Sequence, residues 1–461
     1  MSAQDTIVAL ASGAGRAAVA VIRVSGARTR DVLEALCGDL PEPRHASLRR
    51  LHDPRSGALL DRGLVLWFSA PSSFTGEDMA ELQVHGSRAV IREMIDAALT
   101  VEGTRLAEPG EFARRAFENG RLDLTEVEGL ADLVNAETEA QRRQALAQSE
   151  GSLRALYEGW RAELLKAQAL MEAGLDFADE GDVVADVAVK SEAIVAGLLQ
   201  SISHHLADRR GERLRDGFRV VIAGPPNAGK SSLLNALARR DVAIVSEEAG
   251  TTRDVIEVHL DLAGVPVLLI DTAGLREASG AVEAEGVRRA LARAEEADLV
   301  LWLVDATDPQ WTPPAGFRGS GSFPVSDANP PQSDAISTQI TAIRVLNKHD
   351  LVPPEMPIQD GIVAISAKTG AGLDALLNIL EKHAISATSS DAGAPLLTRT
   401  RHRLELESAR SALARFAAKS LNPELKAEEL RVATRHLGRL TGNIDVEEML
   451  GAIFAEFCIG K

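Results

Sequence analysis

The sequence has 461 residues, 45% of them hydrophobic and 3% aromatic, and its formal net charge is −17. This length accommodates about three domains with buried cores, and the acidic balance opposes non-specific binding to a polyanion. No apolar run approaches the ~18 residues of a membrane span, and we find no secretory signal pattern, so we expect a cytoplasmic protein. Cys37 and Cys458 lie near opposite ends, which argues against a disulfide framework or a zinc cluster.

Residues 1–118 mix short apolar runs with turn signals, which predicts an α+β domain. The strand candidates are 6–10, 19–24 and 63–68, and the helix candidates are 27–36 and 87–99. Turns and helix caps alone are sufficient to explain the polar stretches at 73–78, 81–86 and 108–112.

Residues 119–213 and 384–461 have the composition of helical sequence, and together they predict one helical domain in two pieces. One helix carries apolar residues at the 3–4 spacing of a buried face: Leu153, Leu156, Trp160, Leu164, Ala167 and Met171. We interpret this face as a bundle core rather than a cofactor site.

Residues 214–383 alternate strands and helices as a doubly wound α/β domain does. The strand candidates are 218–223, 265–270, 299–304, 343–346 and 362–365. Ligands of such sheets bind at the carboxyl ends of the strands, so Asp271, Asn347 and Ser366 are expected to converge. The Pro-, Gly- and Ser-rich interval 307–341 predicts a surface insertion. The simplest arrangement inserts this α/β domain into the helical one.

Residues 224–231 fit the phosphate-loop pattern G-x-x-x-x-G-K-S, between a predicted strand and a predicted helix. Glycines allow backbone N–H groups to approach phosphate oxygens, and the helix N-terminus adds partial positive charge. Lys230 is expected to reach the β- and γ-phosphates, and the Ser231 hydroxyl to ligate Mg²⁺. The strand, loop and helix context favours this interpretation over an ordinary glycine-rich turn.

Asn347-Lys348-His349-Asp350 follows another strand and fits N-K-x-D. The Asp350 carboxylate can accept hydrogen bonds from the N1–H and 2-amino groups of guanine, and adenine offers no such pair of donors. A backbone N–H of Ser366-Ala367-Lys368 can serve the guanine O6. The order of motifs, with Asp271-Thr272-Ala273-Gly274 between them, is that of a GTPase.

Two further segments concern hydrolysis. Residues 250–254 lie where the first switch loop is expected, and a threonine hydroxyl there would complete the Mg²⁺ shell. Asp271 belongs to that shell through water, and Gly274 can offer its N–H to the γ-phosphate. Leu275 stands where Ras-like GTPases hold a water-orienting glutamine, so the water must be oriented otherwise. The polar groups available are Asn227, Glu277, Glu283 and Glu285.

These motifs resemble the tRNA-modification GTPase family called MnmE or TrmE, and the resemblance covers nearly the whole chain. Signatures outside the G domain lie at 5–9, 15–16, 22–26, 74–78, 109–112, 116–124 and 457–461. The resemblance implies an N-terminal domain that dimerises and binds 5-formyltetrahydrofolate or a related folate. It also implies a helical domain in two segments, with the G domain inserted between them.

The resemblance further implies a homodimeric, K⁺-dependent GTPase whose G domains meet across the dimer. Glu283 and Lys230 then take the catalytic roles, Ser231 and Thr252 hold Mg²⁺, and K⁺ is held by Asn227, Ser246, Glu248 and Thr251. The remaining GTP-binding residues implied by motif position are Ala228, Gly229, Ser232, Asp271, Thr272, Ala273, Gly274, Asn347, Lys348, Asp350, Ser366, Ala367 and Lys368.

In the reaction that the resemblance implies, an FAD-containing partner, MnmG, acts with this protein in a heterotetramer. Together they add an aminomethyl or carboxymethylaminomethyl group to C5 of the wobble uridine, U34, of certain tRNAs. Folate would supply the one-carbon unit, and Arg23, Glu81, Arg121 and Lys461 match the folate-binding positions. Arg121 replaces a lysine common in the family, which keeps the charge but changes the donor geometry. Cys458 is either a packed or a reactive thiol.

The alternative from another class is a GTPase switch factor in ribosome assembly, because related G domains have that role. Such factors generally append a basic RNA-binding module, and the acidic balance of this chain points elsewhere. A phosphate-loop ATPase is the third hypothesis, which Asn347-Lys348-His349-Asp350 disfavours. Local arginine clusters at 49–55, 399–403 and 431–439 are the candidate nucleic-acid contacts, although a solvated surface is the commoner explanation for such clusters.

Overall fold

The computed structural model describes most of the chain: residues 5–13, 15–176, 181–244, 257–271, 297–308, 317–319, 340–353, 361–389, 394–418, 421–444, 450, 451, 453, 454, 457 and 460. The chain divides into two compact units. The first comprises residues 1–131, 148–201 and 405–461, and the second comprises 132–147 and 202–404. None of the described helices is long and apolar enough to cross a membrane.

The first unit contains a six-stranded sheet in the order β3-β4-β5-β2-β1-β6. Its strands are β1 (Thr6–Leu10), β2 (Ala17–Ser25), β3 (Ser47–His52), β4 (Leu59–Phe68), β5 (Met79–Gly86) and β6 (Thr104–Leu106). All pairings are antiparallel except that of β1 with β6. The three strand candidates of this region are confirmed, whereas the sequence prediction missed β3, β5 and β6.

The interpretation of 81–86 as turn or cap was wrong, because this stretch belongs to the strand between β4 and β2. Leu82 and Val84 are buried, whereas Glu81, Gln83 and His85 point to the other face. Strict alternation with polar residues on one face is the pattern of a strand that buries only one side. The polar residues of the exposed face made this stretch resemble a loop, so the buried apolar residues between them were not recognised as a strand.

Two helices, α1 (Thr29–Cys37) and α2 (Arg88–Ala98), contribute to the core of this sheet, as the sequence predicted. Ser87 begins α2, and its hydroxyl accepts a hydrogen bond from the Val90 N–H at 3.2 Å. Such a cap satisfies one of the N–H groups that a helix start leaves unpaired.

The remaining described helices are α3 (Glu111–Glu118), α4 (Leu124–Val134), α5 (Glu139–Ser149), α6 (Ser152–Asp176), α7 (Gly181–Ala207), α8 (Arg210–Asp216), α9 (Lys230–Ala238), α10 (Leu373–Thr388), α11 (Thr400–Phe416) and α12 (Pro423–Thr441). Most of them lie in the two segments that were predicted to be helical, whereas α3 lies in the predicted α+β region, and α9 and most of α10 lie in the predicted α/β region. The apolar face of α6 is buried and packs against α12, which confirms the bundle-core interpretation. One position differs, because Tyr157 is buried in place of Leu156.

The second unit contains a seven-stranded sheet in the order β11-β12-β10-β7-β9-β8, and β13 also pairs with β12. Its strands are β7 (Phe218–Ala223), β8 (Glu257–Leu262), β9 (Val265–Asp271), β10 (Leu299–Asp305), β11 (Phe317–Gly319), β12 (Ile340–Asn347) and β13 (Ile362–Ala364). Only β8 runs antiparallel to its neighbour. All five strand candidates are confirmed, and β8 was missed.

The predicted surface insertion at 307–341 contains β11, which pairs with the start of β12. Most of the rest of that interval lies outside the described residues. The four domain boundaries, 1–118, 119–213, 214–383 and 384–461, stay a prediction.

Candidate nucleotide site

The loop between β7 and α9 has a backbone that an ordinary side chain would disrupt. Gly224 has φ 148° and Gly229 has φ 94°, and Asn227 also lies in the left-handed region at φ 63°. A Cβ on Gly224 would collide with the carbonyl oxygen of Leu303, and one on Gly229 would collide with the Asn347 side chain. Gly229 begins α9 without a side-chain cap. The first N–H groups of α9 therefore remain available to an anion.

Lys230 lies over this loop. Its Nζ donates to the carbonyl oxygens of Gly224 and Pro225, at 3.0 Å each. Burial lowers the pKa of Lys230, and the nearby Asp271 carboxylate opposes that shift. The loop thus combines unpaired N–H donors with an ammonium group whose present acceptors are two backbone carbonyls, which is an arrangement suited to phosphate.

Ser231 and Asp271 form the oxygen-rich part of the site. The Ser231 hydroxyl donates to Asp271 Oδ2 at 2.7 Å, and Asp271 ends β9 with 1% of its surface exposed. Hydroxyl and carboxylate oxygens are ligands that suit Mg²⁺, which usually keeps several waters and takes few protein ligands. The donor set therefore fits the magnesium ion that the sequence predicted.

Asn347 connects three segments of the site. Its Nδ2 donates to the Ala228 carbonyl oxygen at 2.8 Å, and its Oδ1 accepts from the Ala367 N–H at 3.0 Å. Only 2% of Asn347 is exposed, so both hydrogen bonds are shielded from water. The predicted convergence of the strand ends is confirmed: the end of β12 holds the phosphate loop and the 366–368 loop together.

Lys348 and Asp350, the other residues of the N-K-x-D pattern, follow Asn347. Lys348 has φ 62°, and its Nζ lies 2.6 Å from Asp305 Oδ2. Asp350 lies in the one-turn 3₁₀ helix His349–Leu351 and is exposed. Ser366 is buried, and its hydroxyl accepts from the Thr369 N–H at 3.1 Å. Asp305, which ends β10, was not among the predicted site residues.

The remaining predicted positions divide into two groups. Ser232 and Lys368 are exposed at the first turn of α9 and after β13 respectively. Several others lie outside the described residues: Ser246, Glu248, Thr251, Thr252, Thr272, Ala273, Gly274, Glu283, Cys458 and Lys461.

A second candidate cluster lies on the sheet of the first unit, around Arg23. Its Nη2 donates to Glu81 Oε1 at 2.8 Å, which joins the adjacent strands β2 and β5. The guanidinium carbon lies 5.6 Å from the centre of the Phe74 ring and 5.7 Å from that of Phe112. Arg23 Nη1 also lies 3.5 Å from the Gly460 carbonyl oxygen. Phe112 is fully buried, whereas Phe74 is half-buried, so of the two rings only Phe74 can stack on the flat ring of a ligand.

Arg121 contacts the loop that carries Phe74. Arg121 follows α3 in the sequence, and its Cγ and Cδ atoms would lie 3.2 Å and 3.5 Å from a Cβ placed on Gly76. Gly76 is two residues from Phe74, and Arg121 is exposed. The structure thus brings Arg23 and Glu81 into direct contact and places Arg121 against the 73–78 loop.

A network of buried charges connects the segments that carry the two aromatic rings. Arg115 Nη1 lies 3.1 Å from Glu77 Oε2, and Arg115 Nη2 lies 3.0 Å from Glu111 Oε1. Arg105 donates to the same Glu111 carboxylate at 2.6 Å. Burial raises the pKa of Glu111, but hydrogen bonds from Arg105, the Glu108 N–H and Arg115 outweigh burial and lower it. The polar stretches at 73–78 and 108–112 therefore supply the partners of a charge network, in addition to turns.

Several arginines of the three clusters are paired with carboxylates. Five of their members lie within 3.3 Å of a carboxylate oxygen: Arg49, Arg55, Arg399, Arg403 and Arg431. Arg55 and Arg431 are exposed, which agrees with the solvated-surface interpretation of their clusters. That interpretation was wrong for Arg399, which is buried and paired with Asp132.

Two family models match the chain. "GTP-binding protein TrmE N-terminus" matches residues 6–121, and "MnmE helical domain" matches residues 124–458. A tRNA modification GTPase MnmE from Parvibaculum lavamentivorans is 54% identical over 462 residues, covering 99% of this chain and 100% of that protein. The human mitochondrial protein named 5-taurinomethyluridine-[tRNA] synthase subunit GTPB3 is 50% identical over 465 residues, covering 99% of this chain and 93% of that protein.

Among solved structures, an Aquifex aeolicus Era variant bound to GDP and AlF4⁻ is 26% identical. The match covers 44% of this chain and 69% of Era, with a TM-score of 0.24, which is too low to relate the two folds. Family assignment rests on the family models and the full-length relatives. The chain therefore belongs to the MnmE family, also called TrmE, and is a tRNA modification GTPase.

Proposed function

We propose that the loop 224–229 and the start of α9 bind the phosphates of GTP. The backbone N–H groups of Asn227, Ala228, Gly229, Lys230, Ser231 and Ser232 line the predicted phosphate positions. Lys230 exchanges its two carbonyl acceptors for the β- and γ-phosphates, and that exchange replaces neutral acceptors with charged ones. Ser231 would hold Mg²⁺ directly and Asp271 would do so through water; the bound ion supplies charge neutralisation at the phosphates.

Guanine is recognised at the ends of β12 and β13. Asp350 is exposed and accepts from the N1–H and 2-amino groups. The Ser366 N–H donates to the Ala371 carbonyl and the Ala367 N–H donates to Asn347, so Lys368 is the member of this loop whose N–H serves O6. The observation that carries this proposal is the double hydrogen bond of Asn347, because it fixes the base-recognition loop relative to the phosphate loop.

Hydrolysis in this proposal depends on K⁺. Asn227, Ser246, Glu248 and Thr251 hold the cation, Thr252 completes the Mg²⁺ shell, and Glu283 orients the attacking water. Two facts support the assignment: Asn227 is exposed in a left-handed conformation at the rim of the loop, and Leu275 has no group to orient water. The cation stabilises charge that develops in the transition state, as an arginine finger does. The protein acts as a homodimer in this mechanism.

The Arg23 cluster is proposed to bind 5-formyltetrahydrofolate or a related folate through Arg23, Glu81, Arg121 and Lys461. A folate has a pterin whose pyrimidine ring is flat and carries hydrogen-bonding edges, and it has a carboxylate tail. The half-buried Phe74 ring beside Arg23 suits the flat pyrimidine ring, and the paired Glu81 carboxylate suits its N–H donors. Arg121 is exposed and suits a carboxylate.

The reaction we propose is modification of C5 of U34 in certain tRNAs, in the cytoplasm, together with an MnmG-like FAD protein. The name of the human relative supports this, because it describes a subunit of a synthase of 5-taurinomethyluridine in tRNA. In the proposed arrangement, the N-terminal α+β domain and a two-segment helical domain carry the inserted G domain. Loss of the U34 modification in a deletion strain, measured by nucleoside mass spectrometry, tests this part, and normal modification would overturn it.

The experiment for the GTPase mechanism is GTP turnover in K⁺ and in Na⁺ at equal ionic strength, with the mass of the protein determined by gel filtration. We expect marked stimulation by K⁺ and a dimeric mass. The variant Asn227→Gly tolerates the left-handed backbone and removes the side-chain ligand. It is expected to lose the stimulation while still binding GDP. Asn235→Ala, an exposed change in α9, is the matched control.

Equal rates in both salts would be consistent with GTPase activity but would contradict the proposed dependence on K⁺. Unchanged K⁺ stimulation in Asn227→Gly would exclude Asn227 as a K⁺ ligand and would leave the K⁺ dependence itself intact.

The folate assignment is tested by equilibrium binding of 5-formyltetrahydrofolate to the Arg23→Lys variant. Lysine keeps the charge and loses the planar fork that pairs with Glu81, so affinity is expected to fall about tenfold. Arg30→Lys is the matched control, because Arg30 also lies over an aromatic ring, Trp67, and pairs with a carboxylate. Equal affinity in the Arg23 variant and the control would contradict the assignment.

A further inference from the structure

The lysine of the base-recognition motif forms an ion pair with a residue outside the motif. Lys348 Nζ and Asp305 Oδ2 are 2.6 Å apart, and the two side chains are 33% and 23% exposed. Their strands are neighbours in the sheet, with Asp305 opposite Asn347 in the register. The Ala306 N–H donates to the Asn347 carbonyl oxygen at 2.8 Å. Asp305 therefore belongs to the same rigid strand edge as the N-K-x-D residues, although no GTPase motif of the sequence includes it.

The second oxygen of this carboxylate is also held. Asp305 Oδ1 accepts from the Thr307 N–H at 2.9 Å and from the Thr307 hydroxyl at 2.7 Å. These contacts fix the orientation of the carboxylate from the side opposite to Lys348. Burial raises the pKa of Asp305, but the hydrogen bonds from Lys348 and Thr307 outweigh burial and lower it. The carboxylate is consequently ionised and oriented at neutral pH.

Lys348 is restrained at both ends of its side chain. Its backbone adopts φ 62°, which is uncommon for a residue other than glycine. Its ammonium group is held by Asp305. A long flexible stem loses rotamer freedom when it is ordered, so a stem that is already fixed binds a ligand at a smaller entropic cost.

We infer that Asp305 is a positioning residue for the guanine nucleotide, which acts through Lys348 without touching the nucleotide. It keeps the aliphatic part of the Lys348 side chain ordered before the nucleotide binds, so that this side chain packs beside the base and ribose. The inference rests on the proposed GTP site. It predicts that Asp305 affects the affinity for GTP and ITP equally, because the donors that distinguish these bases face Asp350.

The test is the release rate of a fluorescent GDP from Asp305→Asn, Lys348→Met and the double variant. Asparagine keeps the acceptor for Thr307 and loses the charge that holds Lys348. We expect release to accelerate about tenfold, as for loss of a half-exposed charged hydrogen bond, with kcat near the wild-type value. In the Lys348→Met background, Asp305→Asn is expected to add nothing, because the pair no longer exists. Asp308→Asn, an exposed carboxylate three residues further on, is the control.

Thr307→Val provides a second, milder variant if Asp305→Asn folds poorly, and it is expected to accelerate release about threefold, because it removes the hydroxyl hydrogen bond to Asp305 and keeps both the backbone N–H and the Lys348 pair. Wild-type release from Asp305→Asn, or an equal further acceleration in the Lys348→Met background, would overturn the positioning role. Unequal losses for GTP and ITP would overturn it too. Failure of the unmodified protein to bind either nucleotide would overturn both the role and the proposed GTP site.

Discussion

The phosphate loop and the Arg23 cluster are built in different ways. The phosphate loop consists of eight consecutive residues, and its binding groups are mainly backbone N–H groups that two glycines and a helix start expose. The Arg23 cluster consists of side chains from positions 23, 74, 81 and 112, which the sheet and α3 bring together. A backbone-built site depends on local conformation, whereas a side-chain-built site depends on the packing of distant segments. The two sites are therefore expected to fail in different ways.

The largest effect is expected from Gly224→Ala, which breaks the backbone-built site. A Cβ there would collide with the Leu303 carbonyl oxygen, and φ 148° is unsuited to alanine. We expect nucleotide binding to be lost and the second unit to be destabilised by about 4 kcal/mol. Isothermal titration with GDP and urea unfolding measure the two effects.

The control for that variant is Gly159→Ala, in the middle of α6, where a Cβ meets no atom within 4 Å. It is expected to stabilise its helix by about 0.5 kcal/mol. If Gly224→Ala bound GDP normally, the loop would not depend on its backbone as argued.

The next largest effect is expected from Arg115→Met, which breaks the charge network of the first unit. Its side chain is 10% exposed, and its loss leaves Glu77 and Glu111 short of a buried partner. We expect a loss of about 3 kcal/mol in the free energy of unfolding, together with weaker folate binding, because the segments of Phe74 and Phe112 depend on these contacts. Nucleotide binding in the second unit is expected to remain.

Arg114→Met is the matched control, since Arg114 forms an exposed pair with Glu118 in the same helix. Such a pair contributes about 0.5 kcal/mol. Equal destabilisation by the two changes would show that the network has no special role.

A smaller effect is expected from Asp123→Asn, which compares a buried carboxylate whose cation, Arg154, is 3.9 Å away with the closely paired ones. Burial raises the pKa of Asp123 to about 6, against the hydrogen bonds from Glu126 and Thr125. Because the folded pKa lies above the unfolded value, the contribution of Asp123 to stability is full below about pH 4 and is lost as pH rises through 6. The asparagine variant is expected to be more stable than the wild type by about 2 kcal/mol at pH 8 and equal to it at pH 4.

Urea unfolding at both pH values measures this difference. Asp53→Asn is expected to change stability in the opposite sense, because the Arg55 pair lowers the pKa of Asp53 to about 2. Its contribution is present above pH 4 and is lost as pH falls. A pH-independent effect of Asp123→Asn would exclude ionisation as the cause.

The sequence predicted the backbone-built site more completely than the side-chain-built one. The phosphate loop and the strands that end at Asp271 and Asn347 are each recognisable from a contiguous stretch of sequence. The structure confirms that these three segments converge. The network around Arg115 joins residues up to 110 positions apart, and no local pattern indicates such pairs. Strands β5 and β8 were missed because charged residues occupy their exposed faces. Asp305 was missed because its partner Lys348 is brought alongside only by strand pairing.

The most direct test of the account is the nucleotide preference of Asp350→Asn, measured by competition of GTP, ITP and XTP for the site. The carboxylate is assigned to two guanine donors and has no contact with the phosphates, so the backbone-built loop remains intact in this variant. We expect GTP affinity to fall about 100-fold and XTP to become the preferred nucleotide, because the asparagine amide can donate to the xanthine 2-oxo group. Unchanged preference for GTP would contradict the assignment of Asn347 to Asp350 as the base-recognition element, and with it the central claim.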